Sequence, residues 1–432
     1  MDIVEKIYSL YVKGHRICTD SRSIDKGDIF FALKGETFNG NRFAVQAIER
    51  GAEIALVDDP FLKEYPKVIF VPDVLEFLQA LASYHRSKLN IPIIALTGSN
   101  GKTTTKELIT CVLKDKFKTF STQGNLNNHI GVPLTILSVP VNAEMAVVEL
   151  GANHEGEISK LCEIVKPTHG LITNIGKAHL EGFGSIDGVK RAKSELYNFL
   201  FKSDGKVFID TNNKELNEII IKFPFKNNVI PYGRDLYHVN RIASKKGKLS
   251  FNFSVSSGIT FSIKTQFAGE YNIENILAAF CVSNYFNVDN KKAIQCIESY
   301  IPSNNRSQII NTKSNTLIID AYNANPSSME FALHNFSNTQ HRYPKVAILG
   351  EMLELGKYTE SEHNRIAEMA TRLGFELLVF VGNGFKQTQH NHLWFSTSKK
   401  CLKYFESNPL TKKFILIKGS RGVKMDIIAD YL

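Results

Sequence analysis

Ile93-Ile-Ala-Leu-Thr-Gly-Ser-Asn-Gly-Lys-Thr-Thr-Thr105 is the stretch on which the reading of this chain turns. The apolar run Ile93 to Leu96 predicts a buried strand, and Lys102 to Lys114 carries helical character. Between them, Gly98, Ser99, Asn100 and Gly101 form a glycine-bearing turn. Strand, turn and helix start together make a phosphate cradle, because free backbone N–H groups and the positive end of the helix dipole face one point. Lys102 is placed to hold the β- and γ-phosphates, and Thr103 or Thr104 to offer a hydroxyl to Mg²⁺. Without a nucleotide, Lys102 is expected to face solvent. One departure stands out: the usual spacing requires glycine at position 96, where this chain has Leu96.

The 432 residues are enough for two to four domains with buried cores. A hydrophobic share of 43% is that of an ordinary globular chain. No run reaches the roughly 18 apolar residues of a membrane span, and the first residues do not read as a secretory signal. Six cysteines, Cys18, Cys111, Cys162, Cys281, Cys296 and Cys401, lack metal-ligand spacing and read as thiols of a reducing cytoplasm. The net charge of +9 favours anionic partners. Its basic residues are dispersed, so no nucleic-acid partner is expected.

Working outward from the phosphate loop, residues 1 to 88 alternate short runs: Asp28 to Leu33, Phe43 to Glu49, Ile54 to Val57, Val68 to Val71, then a helix from Val74 to Lys88. Polar loops at Thr19 to Arg22 and Lys34 to Gly40 are candidate binding segments or ordinary turns. Asn90-Ile91-Pro92 reads as a linker. Further strands are expected at Lys118 to Ser121, Ala146 to Leu150, Gly170 to Asn174 and Lys206 to Asp210. Helix-length segments separate them, which predicts a mostly parallel sheet. Glu149 ends one such strand where ligands bind in open α/β sheets, and reads as a Mg²⁺ carboxylate or as a cap. Asn240 to Ile263, including Ser250 to Ser256, alternates as a small antiparallel element, and Asn272 to Phe286 returns to helix. Ile301 to Arg306 reads as a second linker. Strands at Thr316 to Asp320, Lys345 to Leu349, Leu377 to Val381 and Phe414 to Ile417, with helices near Ser327 to Phe336 and Glu362 to Leu373, then make another α/β sheet.

The expected fold class is α/β, with three domains in series. They are a small N-terminal α/β domain (1–88), a central P-loop ATPase-like mostly parallel sheet with a small β element (89–304), and a C-terminal Rossmann-like domain (305–432).

Four stretches are dense in polar groups: Thr122 to Gly131, Glu149 to Glu157, Thr173 to Gly184 with Lys190 to Glu195, and Asp320-Ala-Tyr-Asn-Ala-Asn-Pro326; a further one, Gly350-Glu-Met-Leu-Glu-Leu-Gly356, adds to their pattern. Together with the phosphate loop they resemble the Mur ligase family of peptidoglycan synthesis, over about the whole chain and closest to the branch that adds the terminal dipeptide. The resemblance accounts for Leu96, since the family's loop is short. It implies an ATP-dependent, cytoplasmic, monomeric ligase. Its substrates would be UDP-N-acetylmuramoyl-tripeptide and D-alanyl-D-alanine, joined through an acyl phosphate.

Carried over residue by residue, the resemblance places Lys102 on the phosphates and Thr103 with Glu149 on one of two Mg²⁺ ions. His179 serves the second Mg²⁺ beside Lys193, which is carbamylated. Lys102, His179 and Lys193 are thus the catalytic candidates. Asn272 and Asn275 face the adenine, and Arg306, Asp320 and Asn323 reach the nucleotide from the third domain. Ser21, Arg22, Asn39 and Gly40 take the UDP end, although Asn39-Gly40-Asn41 stands where the family commonly has Asp-Gly-His. Asn125, Asn127 and Asn128 take the muramoyl-peptide side. His129, His154 and His169 read as structural, and Glu195 pairs with Lys193 or caps its own helix. The preceding ligase of the family, a folylpolyglutamate-type ligase and a nucleic-acid-associated ATPase are the competing readings. The first is disfavoured because no Asp-Asn-Pro-Arg stretch occurs, the last because no clustered basic stripe does.

Overall fold

The computed structural model describes residues 2–255, 258–302, 305–388 and 392–432. Ser303 and Asn304 of the expected second linker and Ser256 of the expected β element lie outside the described residues.

The first unit is a four-stranded parallel sheet in the order β1 (Ile17–Cys18), β2 (Ile29–Phe31), β3 (Ile54–Val57), β4 (Val68–Phe70). Only Ile29–Phe31 of the expected Asp28 to Leu33 joins it. Asp28 instead accepts from Arg16 Nη2 at 2.5 Å and from the Asp25 amide, and Leu33 takes the Gly40 amide at 2.8 Å. The strand Ile17–Cys18 was not anticipated, since two residues carry no readable period.

The helix Val74–Lys88 forms as expected, its first turn capped by Asp73, which accepts from the Glu76 amide at 2.8 Å. It also ties the first unit to the second. Arg86 donates to three carbonyls, Val165, Leu89 and Lys166, at 2.7, 2.6 and 2.9 Å, and His85 Nε2 lies 2.7 Å from the Val139 carbonyl.

The central sheet is fully parallel, in the order β10 (Val229–Tyr232), β9 (Lys206–Asp210), β8 (His169–Ile172), β5 (Ile93–Thr97), β7 (Met145–Glu149), β6 (Thr119–Ser121). β5 and β7 are buried at every residue, as strands covered on both faces must be. β10 escaped the sequence reading because it contains Pro231; the strand lies at the sheet edge, where a missing N–H is tolerated.

A three-stranded antiparallel meander follows, β11 (Asn240–Lys245), β12 (Lys248–Ser254) and β13 (Thr260–Lys264). Leu249, Phe251 and Phe253 alternate inward on β12, and Phe253 meets Phe280 of the helix Ile273–Tyr285 edge-on at 4.8 Å. That helix is buried almost all round, and shares one apolar cluster with the phosphate-loop helix Lys102–Lys114.

The third sheet runs β14 (Gln308–Asn311), β15 (Thr316–Asp320), β19 (Phe414–Lys418), β16 (Lys345–Gly350), β17 (Leu377–Val381), β18 (Leu393–Phe395). It is parallel except for β14, which pairs antiparallel with β15 at one edge. The molecule is thus α/β, and the helix Pro326–Asn338 brings the third unit against the phosphate loop.

Candidate active site

The loop after β5 is held open by two glycines. Gly98 and Gly101 have φ of 144° and 78°, the region L residues avoid, and a Cβ at Gly98 would stand 2.0 Å from Thr173 Oγ1. Neighbouring strand ends fix the loop: Ser99 N donates to the Asn174 carbonyl, Asn100 N to Asn174 Oδ1 (both 3.0 Å), and Thr173 Oγ1 to the Asn100 carbonyl at 2.6 Å. The helix beginning at Lys102 has no side-chain cap, so its first amides are left for a ligand. Lys102 is only partly exposed, on the cavity wall, rather than extended into solvent. Its ammonium folds back onto the Gly98 carbonyl at 2.7 Å, and burial holds its pKa below the usual lysine value.

Beside the loop, Thr103 Oγ1 donates to Glu149 Oε2 at 2.9 Å, and Asn127 Nδ2 donates to Glu149 Oε1 at 2.7 Å. The Glu149 amide donates to Thr122 Oγ1, and the Thr122 carbonyl accepts from the buried Lys106 at 2.7 Å. Glu149 is therefore aimed by groups from three segments, of which sequence reading found Thr103 and missed Lys106. Asn128 Oδ1 accepts from the amides of Ile130 and Gly131, so its oxygen caps the next helix.

Lys193 is almost fully buried, with Nζ 3.4 Å from the Ala152 carbonyl and 5.1 Å from the Phe183 ring centroid. Its pKa is lowered to about 7, first by burial and then by the Lys102 charge. Neither reading of Glu195 holds. Its carboxylate accepts from the Gly156 and Ser159 amides at 2.6 and 2.8 Å, which caps a neighbouring helix, Glu157–Val165.

From the third unit, Asn325 Nδ2 reaches Asn100 Oδ1 at 2.8 Å, the Lys177 amide donates to Ser327 Oγ at 3.0 Å, and Lys177 Nζ pairs with Glu362 at 2.5 Å. His179, itself at φ 51°, has Nδ1 2.6 Å from Glu354 Oε2 of the Gly350–Gly356 loop. Asp320 is held by the buried Lys418 at 2.5 Å. Asn323 Oδ1 accepts from the Ala324 amide, and the Arg306 guanidinium lies 3.6 Å over the Tyr322 ring. Asn272 and Asn275 are joined at 2.8 Å, and Asn275 also accepts from Thr105.

These groups surround one cavity of about 1300 Å³. Ser99 to Thr104, Asn125, Asn127, Asn128, Glu149, His179, Asn272, Asn275, Arg306, Asp320 and Asn323 all line it. His129 and His154, read as structural, line it too, whereas the half-buried His169 stacks on Phe208 away from it. Ser21, Arg22, Asn39 and Gly40 are not among its lining residues; Arg22 grips Asp20, and Asn39 Oδ1 accepts from the Asn41 amide. Lys193 lies behind Ala152 of the wall.

Among the described residues, Asn100 Nδ2, Arg306 Nε and, away from the cavity, Tyr197 Oη are buried polar atoms without a hydrogen-bond partner, while His179 Nδ1 has only the Glu354 carboxylate beside it. Asn100 and Arg306 both line the cavity, and unsatisfied donors facing one space fit an anion. The hydroxyl of Thr103 and the carboxylate of Glu149 are hard oxygen donors, as Mg²⁺ requires. Lys418 carried no signal in the sequence, and Lys177 and Asn325 none beyond lying in polar stretches, because each gains its role from a partner more than 90 residues away.

Comparison with known proteins agrees with this geometry. Family profiles described as Mur ligase family catalytic domain, Mur ligase middle domain and Mur ligase glutamate ligase domain match residues 13–86, 96–283 and 305–421. The chain is 32% identical to a UDP-N-acetylmuramoyl-tripeptide–D-alanyl-D-alanine ligase of Bacillus subtilis, over 97% of this chain and 93% of that one. It is also 32% identical to the ligase of the same name from Escherichia coli, over 96% and 93%. A crystal structure of MurF from Acinetobacter baumannii superposes with a TM-score of 0.86 at 31% identity, covering 96% of this chain and 92% of that one. The chain belongs to the Mur ligase family.

Proposed function

We propose that this protein joins D-alanyl-D-alanine to UDP-N-acetylmuramoyl-tripeptide with ATP, through an acyl phosphate. The observation that carries the reading is the Thr103–Glu149 pair at 2.9 Å beside the phosphate loop, with the unpartnered Arg306 Nε on the same cavity. A free carboxylate is a poor acyl donor, so the peptide carboxylate attacks the γ-phosphorus and ADP leaves. The dipeptide amine then attacks the acyl carbon, and phosphate leaves.

The first step brings two anions together. Lys102, freed from the Gly98 carbonyl, supplies a cation to the phosphates, and Arg306 supplies another from the third unit. Thr103 and Glu149 would hold one Mg²⁺ and His179 a second; the metal's chemistry there is to neutralise phosphate charge. Asn272 and Asn275 bind the adenine end. Asp320 and Asn323 orient the nucleotide, with Lys418 holding Asp320 in place.

Lys193 carries a carbamate in this reading. The neutral amine adds to CO₂, forming an N–C bond and releasing a proton. Burial, which lowers its pKa to about 7, keeps a substantial fraction of the amine neutral. The product is an anionic oxygen donor beside the metal site.

The unit 1–88 takes the UDP end through Ser21, Arg22, Asn39 and Gly40, and Asn125, Asn127 and Asn128 face the muramoyl peptide. The units end at 88 and 304, and the enzyme works as a cytoplasmic monomer without nucleic acid. Among the described residues no helix is long and apolar enough to cross a membrane.

The test is phosphate release from ATP, which should require both the UDP-tripeptide and D-alanyl-D-alanine. Release stimulated by DNA or RNA and indifferent to both would overturn the reading.

A further inference from the structure

The helix Pro326–Asn338 lays one face along the cavity: Ser327, Ser328, Phe331, His334, Asn335 and Asn338 all line it, at helical spacing. Both ends of that face are anchored to the central unit. At the start, Asn325 meets Asn100 of the phosphate loop and Ser327 takes the Lys177 amide. Toward the end, Asn335 Oδ1 accepts from the Glu270 amide at 3.0 Å, two residues before Asn272.

Between these anchors stands Phe331, 54% exposed. Its neighbours Met329, Leu333 and Phe336 point into the core. Six residues at 1.5 Å each put Phe331 about 9 Å along the axis from the loop contact, and about 6 Å short of the Asn335 contact. It is level with the stretch between the phosphate loop and Asn272.

An apolar ring on the wall of this cavity gains free energy when a flat apolar group of a ligand covers its face. The other aromatic rings of tyrosine on this wall are already engaged. Tyr271 is tied through its hydroxyl to Ser307 at 2.8 Å, and Tyr322 is covered by Arg306. No ring partner of Phe331 occurs among the described residues, so its face is available for a flat, uncharged group.

We propose that Phe331 is a binding residue of the nucleotide site, its ring packing on the face of the purine base when phosphates occupy the loop. The proposal rests on the reading of that loop as an ATP site. It makes the helix a two-ended splint: Asn325 and Ser327 meet the phosphate end, Asn335 meets the adenine end, and Phe331 covers the base between them.

Two measurements test it. Phe331→Ala should raise the KM for ATP about tenfold, as loss of one base–aromatic stack does, with the KM for D-alanyl-D-alanine and the thermal midpoint unchanged. Phe331→Tyr, which keeps the ring, should restore the KM. In a Trp394→Phe background, which removes the only native tryptophan, Phe331→Trp supplies a local fluorophore. Mg-ATP should quench it, and inorganic tripolyphosphate with Mg²⁺ should not.

An unchanged KM for ATP in Phe331→Ala overturns the proposal. So does equal quenching by tripolyphosphate, or quenching by D-alanyl-D-alanine and not by ATP. Failure of the wider reading looks different: the unmodified enzyme would release no phosphate from ATP with both substrates present, and neither ATP nor tripolyphosphate would bind.

Discussion

The central and C-terminal sheets are both six-stranded and mostly parallel, yet they treat buried charge in opposite ways. At the strand ends of the central sheet, Lys102 and Lys193 each rest on a backbone carbonyl, of Gly98 and Ala152, while Lys106, on the Thr122 carbonyl, has Glu107 at 3.7 Å as well. Burial lowers the pKa of all three. At the end of the C-terminal sheet, Lys418 meets a full counter-charge in Asp320 at 2.5 Å. A carbonyl dipole compensates a buried ammonium only partly, whereas a carboxylate does so nearly fully. The central cluster is therefore preset for anions that arrive with substrate, and the C-terminal pair is complete on folding.

Breaking the central side should give the largest effect. Lys102→Ala is expected to lose about two to four orders of magnitude in turnover with the fold intact, since no ion pair is lost. Near wild-type turnover would end its assignment. Next comes Lys193→Ala, expected to lower turnover about a hundredfold or more, with a short carboxylic acid restoring part of it by occupying the vacated space. An active variant, or one that no acid rescues, would leave the carbamate without support.

On the C-terminal side, Lys418→Met should strand the Asp320 carboxylate and lower stability by about 3 kcal/mol, visible in thermal unfolding. Lys102→Met should leave the midpoint unchanged or raise it. If the two variants unfold alike, the contrast between the sheets is void.

A smaller effect concerns Asp210, at the end of β9. It forms no salt bridge among the described residues, and burial, aided by Glu274, raises its pKa to about 6. Between the ordinary value near 4 and 6 the folded state binds more protons than the unfolded one, so Asp210 makes stability fall as pH rises through that window. Asp210→Asn should flatten the fall, measured as denaturation midpoints at pH 4.5 and 6.5. An unchanged slope would show the carboxyl to be compensated. Smallest of all, Lys177→Met removes a half-exposed pair with Glu362, for which less than about 1 kcal/mol is expected. Small-angle scattering should detect a slightly larger particle without ligand, and no loss of compaction with ATP analogue and UDP-peptide.

What the sequence made legible was whatever is local. The phosphate loop and the helix Val74–Lys88 could be read because strand, turn and cap lie within a few residues of each other. Strands Lys206–Asp210, Thr316–Asp320 and Leu377–Val381 fell where expected because each is a continuous apolar run. Glu149 was found because it ends such a run. Roles set by distant partners were illegible. Glu195 reads as a partner for Lys193 two residues away only if no amides from Gly156 and Ser159 present themselves. Lys102 reads as solvated only if the loop offers it no carbonyl of its own. Phe331 looks like one more apolar residue of an amphipathic helix until the fold turns that face to a cavity.

The guanidinium of Arg86 has a consequence for movement. By closing the carbonyls of Leu89, Val165 and Lys166, it rivets the N-terminal unit to the central one at their junction. The contacts across the other junction are spread over several segments: side chains such as Asn325 with Asn100 and Lys177 with Glu362, and backbone bonds such as the Glu181 amide on the Glu354 carbonyl at 3.1 Å. One guanidinium thus works as a keystone: three backbone oxygens of the turn between helix and sheet close on a single planar group, so the N-terminal unit meets the central one at a defined angle.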